Sequence, residues 1–225
     1  MKMRGPFPKT LYVLGLDLGQ AQDPSALAVV ERLTLPIPEN GERDMATISE
    51  RECEYLFHVR HLERVPLRTD YTQVAAYVQS VLSRSPLCRP AFKDHLGTKF
   101  VMDFTGLGAP VFDIFTSIGL RPTGITLTSG ESFRHSPRGY NVSKLELISS
   151  LQGLLHSGHM LIAEALEDAK ELVRELESFR VNWSTAGNPT FSAKTGAHDD
   201  LVIAVGLAVW QAKNHGGFTR RTFSI

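Results

Sequence analysis

Apolar and polar positions follow a pattern along the chain that predicts alternating strands and helices. Residues 11–18 are apolar on both alternating sets, as in a central strand that is covered on both faces. Residues 71–82 carry apolar side chains at helical spacing behind Asp70, which can cap the first turn. By the same criteria, strands are predicted at residues 11–18, 25–32, 53–62, 99–103 and 122–127, and helices at residues 71–82, 106–119, 143–158, 164–179 and 199–213.

The segments between these elements are rich in glycine, proline and charge. Residues 35–45 predict an excursion between the second and third strands, and residues 128–141, which lack periodicity, predict a mobile loop. Residues 143–146 match a capping box, and residues 181–194 indicate a hairpin. The final helix is apolar nearly all round, so we expect it to be buried.

The order of elements favours an α/β fold with a mixed sheet. Three strands joined by short turns form an antiparallel meander, and helical crossovers then add two parallel strands. The length of 225 residues suits one substantial core. We therefore predict an N-terminal extension at residues 1–10, one domain at residues 11–213 and a C-terminal tail at residues 214–225.

The composition bears on which partners the protein can bind and in which compartment it works. Lys plus Arg and Asp plus Glu both number 24, so the net charge is zero and no global basic field indicates nucleic acid. Cys53 and Cys88 are too few for a disulfide framework or a thiolate zinc site, which favours a reducing compartment. The first ten residues lack the apolar core of a signal peptide, and no stretch reaches the length of a membrane helix. We expect a cytoplasmic protein without a membrane partner.

Three stretches place aspartates where an α/β sheet would expose them. Asp17 lies on the first apolar strand, Asp103 ends the fourth, and Asp199 and Asp200 open the final helix. Such carboxylates repel one another unless a hard cation such as Mg²⁺ or Mn²⁺ neutralises them. Two such ions roughly 3.5 to 4 Å apart promote attack of water on a phosphodiester. The pattern therefore indicates a metal-dependent nuclease.

Each acidic site also has a purely structural interpretation. Asp17 can be satisfied by backbone amides, Asp103 can cap the helix behind Gly106, and the Asp199–Asp200 pair can complement a helix dipole. Capping does not explain a strand-borne Asp17. The three sites together therefore favour metal binding over the separate interpretations.

The acidic motifs resemble those of a known family. Gly15-Leu16-Asp17-Leu18-Gly19-Gln20, Val101-Met102-Asp103-Phe104-Thr105-Gly106 and Ala197-His198-Asp199-Asp200-Leu201-Val202 are similar to motifs of the nuclease domain of tailed-phage large terminases. The likeness extends over residues 11–210. It implies an RNase H-like fold and a two-metal endonuclease that cuts double-stranded DNA with little sequence preference during genome packaging. It also implies a terminase ATPase motor, a small terminase and a portal as partners, in the host cytoplasm.

The resemblance implies catalytic metal ligands at Asp17, Asp103, Asp199 and Asp200. Adjacent helical residues point about 100° apart, so the pair is not expected to bind one ion equivalently. We assign Asp200 as the principal third ligand, with Asp199 sharing the second ion or restraining His198. The chain departs from the family in lacking a Gly-x-x-x-x-Gly-Lys-Ser/Thr motif, so ATP-driven packaging by this chain alone is not expected. An excised domain, a split gene product or a prophage remnant would explain that difference.

Several basic residues are candidates for supporting roles. Lys144 starts a helix, where a cation is poorly placed, so it has either a phosphate or carboxylate partner or a solvated position. His198 either orients a ligand or caps the final helix. The remaining candidates either follow a DNA backbone or are solvated loop charges: Arg134, His135, Arg138 and Lys194.

Two other functions compete with the nuclease. Gly15 to Gly19 and Asp103 to Gly106 also resemble the phosphate loops of actin-like ATPases and sugar kinases, although 225 residues are too few for two lobes. A packaging or docking module that has lost cleavage is the non-enzymatic alternative. Holliday-junction resolvases and transposase cores share the acidic sheet and stay open as relatives.

Overall fold

A computed structural model describes residues 8–19, 23–37, 53–129, 134–178, 180–183, 189–192 and 199–215. The strands are β1 (Lys9–Asp17), β2 (Ala26–Pro36), β3 (Cys53–Arg64), β4 (His95–Asp103), β5 (Thr123–Thr128), β6 (Arg134–Ser136), β7 (Gly139–Ser143), β8 (Met160–Ile162), β9 (Arg180–Trp183) and β10 (Pro189–Ser192). The helices are α1 (Tyr71–Leu82), α2 (Ala109–Ser117), α3 (Lys144–His156), α4 (Ala169–Ser178) and α5 (Asp200–Lys213).

Eight of the strands form one mixed sheet in the order β6-β7-β5-β4-β1-β2-β3-β8. The strands β1, β2 and β3 form the antiparallel meander that the sequence predicts. Beyond β1, the strands β4, β5 and β7 follow in parallel, and β6 forms the edge by pairing antiparallel with β7. On the other side, β8 pairs in parallel with β3. The predicted mixed α/β sheet is confirmed, with three more strands than the pattern of residues indicated.

The two faces of the sheet are covered by different helices. Alternation along β1 sends Leu11 and Val13 toward α3 and α5, whereas Leu14 and Leu16 pack with α1 and α2. Twelve of the fourteen residues of α5 are buried, which confirms the prediction for this helix. In the described part of the chain, no helix is long and apolar enough to cross a membrane.

The segment at residues 128–141, predicted as a mobile loop, instead contributes strands. β6 and β7 form a hairpin around residues 137–138, and β7 pairs with β5. Both strands are short and have mostly half-buried or exposed side chains, with β6 at the sheet edge and β7 beside it, so burial imposes no apolar alternation on them. The predicted hairpin near the C-terminus is confirmed by the pairing of β9 with β10, and its turn lies outside the described residues.

Element boundaries differ from the sequence-based ones in several places. β2 continues to Pro36 inside the predicted excursion, and the rest of that segment lies outside the described residues. β4 begins four residues early, at His95, and α4 begins five residues late, after turns at residues 164–168. Ser143 precedes α3 as predicted, but its side chain makes no capping hydrogen bond there. Neighbouring strands and packing therefore decided these boundaries more than local propensity did.

Gly15 allows α5 to pack directly on β1. A Cβ atom built on Gly15 would lie 2.1 Å from the carbonyl oxygen of Ala204 and 3.0 Å from the backbone nitrogen of Ala208. Backbone atoms cannot move away as a flexible side chain can. The start of α5 is therefore held at a fixed height above the sheet.

We predict that Gly15→Ala lowers the free energy of unfolding by about 1–3 kcal/mol or more, because overpacking displaces α5. Gly153→Ala is the matched control, since nothing lies within 4 Å of a Cβ atom at that position in α3. Removing a helical glycine there should stabilise the protein by up to about 1 kcal/mol. Urea denaturation measures both values, and equal stability of the two variants would contradict the close contact between α5 and β1.

Candidate active site

Asp17 and Asp103 lie side by side at one end of the sheet. Leu16 of β1 pairs with Met102 of β4, and the two aspartates follow directly as the last residues of these parallel strands. Gly15 faces α5, so Asp17, two residues on, projects toward the same face. The pairing of β1 with β4 therefore places the two carboxylates next to each other.

Helix α5 brings the third acidic segment to the same end. Asp199 is the N-cap residue and Asp200 is the first helical residue. The negative charges of Asp199 and Asp200 both raise the pKa of Asp17, which shows that the segments share one electrostatic environment. The structure therefore collects carboxylates from β1, β4 and α5, although these residues are far apart in the sequence.

Burial and electrostatic repulsion together disfavour ionisation of this cluster. Burial raises the pKa of the Asp17 carboxyl well above its usual range, and the charges of Asp103, Asp199 and Asp200 raise it further, while Lys144 opposes them. Burial also raises the pKa of Asp103, against the hydrogen bonds from Thr105 and the charge of Lys144. Full ionisation of the cluster therefore requires compensating positive charge.

Thr105 holds the carboxylate of Asp103 in place. Its backbone nitrogen and its Oγ1 donate hydrogen bonds to Asp103 Oδ1 at 2.7 and 2.5 Å. The Thr105 hydroxyl in turn accepts a hydrogen bond of 2.8 Å from the backbone nitrogen of Leu127. Asp103 does not cap α2, whose N-cap is Gly108. Thr105 is not among the residues predicted from the sequence, although a threonine two residues after an aspartate is a recognisable local hydrogen-bonding pattern.

Lys144 provides compensating positive charge beside the cluster. Its Nζ lies 2.5 Å from Asp199 Oδ2, so the carboxylate partner predicted for this helix-start lysine is confirmed. The side chain of Asp199 makes no capping hydrogen bond to α5. Its carboxylate is thus directed to Lys144 and to the acidic cluster rather than to the backbone of its own helix.

Asp200 has different neighbours, which the sequence did not reveal. Arg64 donates hydrogen bonds from Nε to Asp200 Oδ2 at 2.7 Å and from Nη2 to Asp200 Oδ1 at 3.2 Å. Arg64 also contacts Glu175 of α4, whose Oε2 accepts a hydrogen bond of 3.0 Å from the backbone nitrogen of Val202. Burial raises the pKa of Glu175 to about 8, with Asp200 adding to the effect while the bond from Val202 and the charge of Arg64 oppose it.

The two aspartates of the pair have different partners in the structure. The predicted divergence of Asp199 and Asp200 is present, since the two side chains have different partners. Both oxygens of Asp200 accept hydrogen bonds from Arg64. Asp199, in contrast, raises the pKa values of both Asp17 and Asp103.

The structure does not bring together all the basic residues that were candidates for contacts with the DNA backbone. Arg134 is exposed on the edge strand β6, and the ring of His135 packs at a tilt against the ring of Tyr140. Arg138 lies over the rings of Phe104 and Phe112, which pack with α1 and α2 on the opposite face from the carboxylates. The β6–β7 hairpin that carries Arg138 lies within the segment that was predicted as a loop. Two further candidates lie outside the described residues: Lys194 and His198.

The acidic cluster has the donor atoms of a divalent-cation site, but its side chains are not arranged around a common metal position. Its donors are hard carboxylate oxygens with excess negative charge, and Lys144 takes the place of a cation beside Asp199. Among the described residues, no group of three or more His, Cys, Asp or Glu side chains is placed so that it could hold a metal ion as it stands. The residue types therefore fit Mg²⁺ or Mn²⁺, and Asp199 and Asp200 pair with Lys144 and Arg64 in this structure.

A mixed sheet with an antiparallel meander, added parallel strands and acidic strand ends below a helix is RNase H-like. No protein-family model matches the chain. The large terminase subunit of Thermus phage G20c is 24% identical over 212 residues, which cover 94% of this chain and 34% of that protein. The chain therefore spans about a third of the length of this curated relative.

Solved structures of terminase nucleases share the fold. The crystal structure of the large terminase nuclease from thermophilic phage G20c superposes with a TM-score of 0.60 at 20% identity, covering 92% of this chain and 86% of that one. The structure of the same nuclease with bound magnesium also gives 0.60, at 21% identity, covering 92% of this chain and 85% of that one. The resemblance predicted from the three acidic motifs is thus confirmed: the chain is similar in sequence to large terminase subunits and has the fold of their nuclease domain.

Proposed function

We propose that the chain is a divalent-metal-dependent endonuclease that cleaves double-stranded DNA during phage genome packaging. The observation that carries this proposal is the convergence of Asp17, Asp103 and Asp199 from three separate elements at one end of an RNase H-like sheet. The similarity to large terminase subunits, and a related nuclease solved with bound magnesium, support the same function.

In this proposal Asp17, Asp103 and Asp199 would hold the ions, with Asp200 beside them on Arg64. When bound, Mg²⁺ or Mn²⁺ would lower the pKa of the attacking water and stabilise the leaving oxygen. The chain's own residues fix the carboxylates: Thr105 orients Asp103, while Lys144 lowers the pKa values of Asp17 and Asp103.

The zero net charge and the position of Arg138 limit the DNA-binding surface of this chain. Lys144 and the exposed Arg134 are the described basic residues that we propose contact the DNA backbone, with Lys194 and His198 as further candidates. Binding through phosphates carries little sequence preference. A motor ATPase, a small terminase and a portal in the host cytoplasm would complete the packaging machinery.

Cleavage of supercoiled plasmid with and without a metal chelator tests the proposal. We predict nicked and linear products in Mn²⁺ or Mg²⁺ and loss of cleavage in EDTA, because the carboxylates need compensating charge to act together. Full activity in EDTA would contradict the metal mechanism. Folded protein that cuts no DNA in either cation, over a range of concentrations, would favour the docking-module alternative, and tight ATP binding would favour the actin-like one.

A further inference from the structure

Arg64 connects three elements at the end of the site. It is the last residue of β3, and its guanidinium reaches both oxygens of Asp200 at the start of α5. The same guanidinium contacts Glu175 on α4, and the Arg64 backbone nitrogen donates a 3.1 Å hydrogen bond to Asp168 Oδ2. One residue thus ties a sheet strand to two helices.

Glu175 completes the connection from the other side. It is 3% exposed, and while Oε1 accepts a hydrogen bond from Arg64, Oε2 accepts one from the backbone nitrogen of Val202. Val202 belongs to the first turn of α5, where backbone N–H groups have no partner within the helix. Glu175 therefore caps α5 in the place that the side chain of Asp199 leaves open.

This geometry separates the two adjacent aspartates. The planar fork of Arg64 holds Asp200 by two hydrogen bonds, and a lysine could not reproduce that bidentate contact. With α5 capped by Glu175, Asp199 is free of a capping role and its carboxylate pairs with Lys144 beside the acidic cluster. The rotation of α5 about its axis is thereby fixed at its first turn.

We propose that Arg64 and Glu175 are positioning residues that fix the start of α5 and direct Asp199, rather than Asp200, toward Asp17 and Asp103. Arg64 acts on metal binding through Asp200 and contacts neither the ions nor the DNA. This inference rests on the proposed function and names residues outside the acidic motifs.

Binding of Mn²⁺ to the full chain, measured by calorimetry and by the EPR signal of free Mn²⁺, tests the inference apart from cleavage. We expect Arg64→Gln and Arg64→Lys each to weaken binding by about 10 to 100-fold, the cost typical of residues that orient metal ligands. Arg174→Gln is the matched control, because Arg174 is an exposed arginine on α4 that pairs with Glu171 instead of Asp200. Its binding should equal that of the wild type.

A double-mutant cycle then shows whether Arg64 acts through Asp200. In the Asp200→Asn background, Arg64→Gln should change Mn²⁺ binding by less than about threefold, since its partner is already altered. Unchanged or tighter binding in Arg64→Lys would overturn the inference, because Arg64 would then be neutral or a competing cation. Arg64→Lys keeps the positive charge, so it decides the matter even if Arg64→Gln does not fold. A folded wild type that binds no Mn²⁺ would overturn the proposed function and this inference with it, whereas normal wild-type binding isolates the effect of Arg64.

Discussion

Asp17→Asn is expected to reduce DNA cleavage by on the order of 10³-fold or more, since a direct ligand contributes several kcal/mol of transition-state stabilisation. Burial raises the pKa of the Asp17 carboxyl, and the charges of Asp103, Asp199 and Asp200 all raise it further. Asparagine keeps the shape of the side chain but offers no negative charge. Initial rates of plasmid cleavage at saturating Mn²⁺ measure the loss.

The same substitution should stabilise the metal-free protein. A carboxyl whose folded pKa lies above its unfolded value stabilises the fold at low pH, and that contribution is lost as the pH rises from about 4 toward the folded pKa. The wild-type melting temperature without metal should therefore fall over this range, and Asp17→Asn should flatten the decline. The control is Asp113→Asn, which removes an exposed carboxylate from α2. Unchanged cleavage by Asp17→Asn would remove this residue from the site.

Most of the fold is predictable because burial imposes a period on the sequence. The alternation in β1 and the all-round apolar character of α5 reflect a strand and a helix that are buried on nearly all sides. The strands β6 and β8 have three residues each and lie at the two edges of the sheet, so they carry too few buried positions for a pattern to show. Their pairing partners decide that they are strands.

In the candidate site, the charged residues that interrupt an apolar strand could be predicted from the sequence. Asp17 and Asp103 stand out because each ends an apolar strand, whereas Arg64 and Glu175 look like ordinary surface charges in their own segments. Their contacts join residues 111 and 136 positions apart. No local spacing encodes such a contact, and the fold alone brings these residues together.

Arg138 shows why a basic residue type does not by itself locate a residue in the fold. A basic residue in a polar segment suggests a DNA contact, but the turn between β6 and β7 places Arg138 over Phe104 and Phe112. The guanidinium is stabilised there by the aromatic faces and packs away from the carboxylates. The element must therefore be known before the charge can be assigned to a site.

A side-by-side comparison of Asp199→Asn and Asp200→Asn should reverse the order that the sequence suggested. Asp199 lies beside Lys144 and raises the pKa values of Asp17 and Asp103, so its loss should cost on the order of 10³-fold in cleavage, as for a direct ligand. Asp200 is held by Arg64, so its loss should cost about 10 to 100-fold, as for a residue that orients others.

The two variants are matched controls for each other, because both remove one carboxylate from the same helix start. Asp200→Asn should also destabilise the protein more, since Asp200 is 6% exposed and its loss leaves the charge of Arg64 partly unpaired. Initial rates at saturating Mn²⁺, together with urea denaturation, separate the effect on cleavage from the effect on folding. If Asp199→Asn keeps most activity while Asp200→Asn keeps none, then Asp200 must leave Arg64 when the metal binds. Arg64 would in that case compete with the metal for Asp200 instead of positioning Asp199.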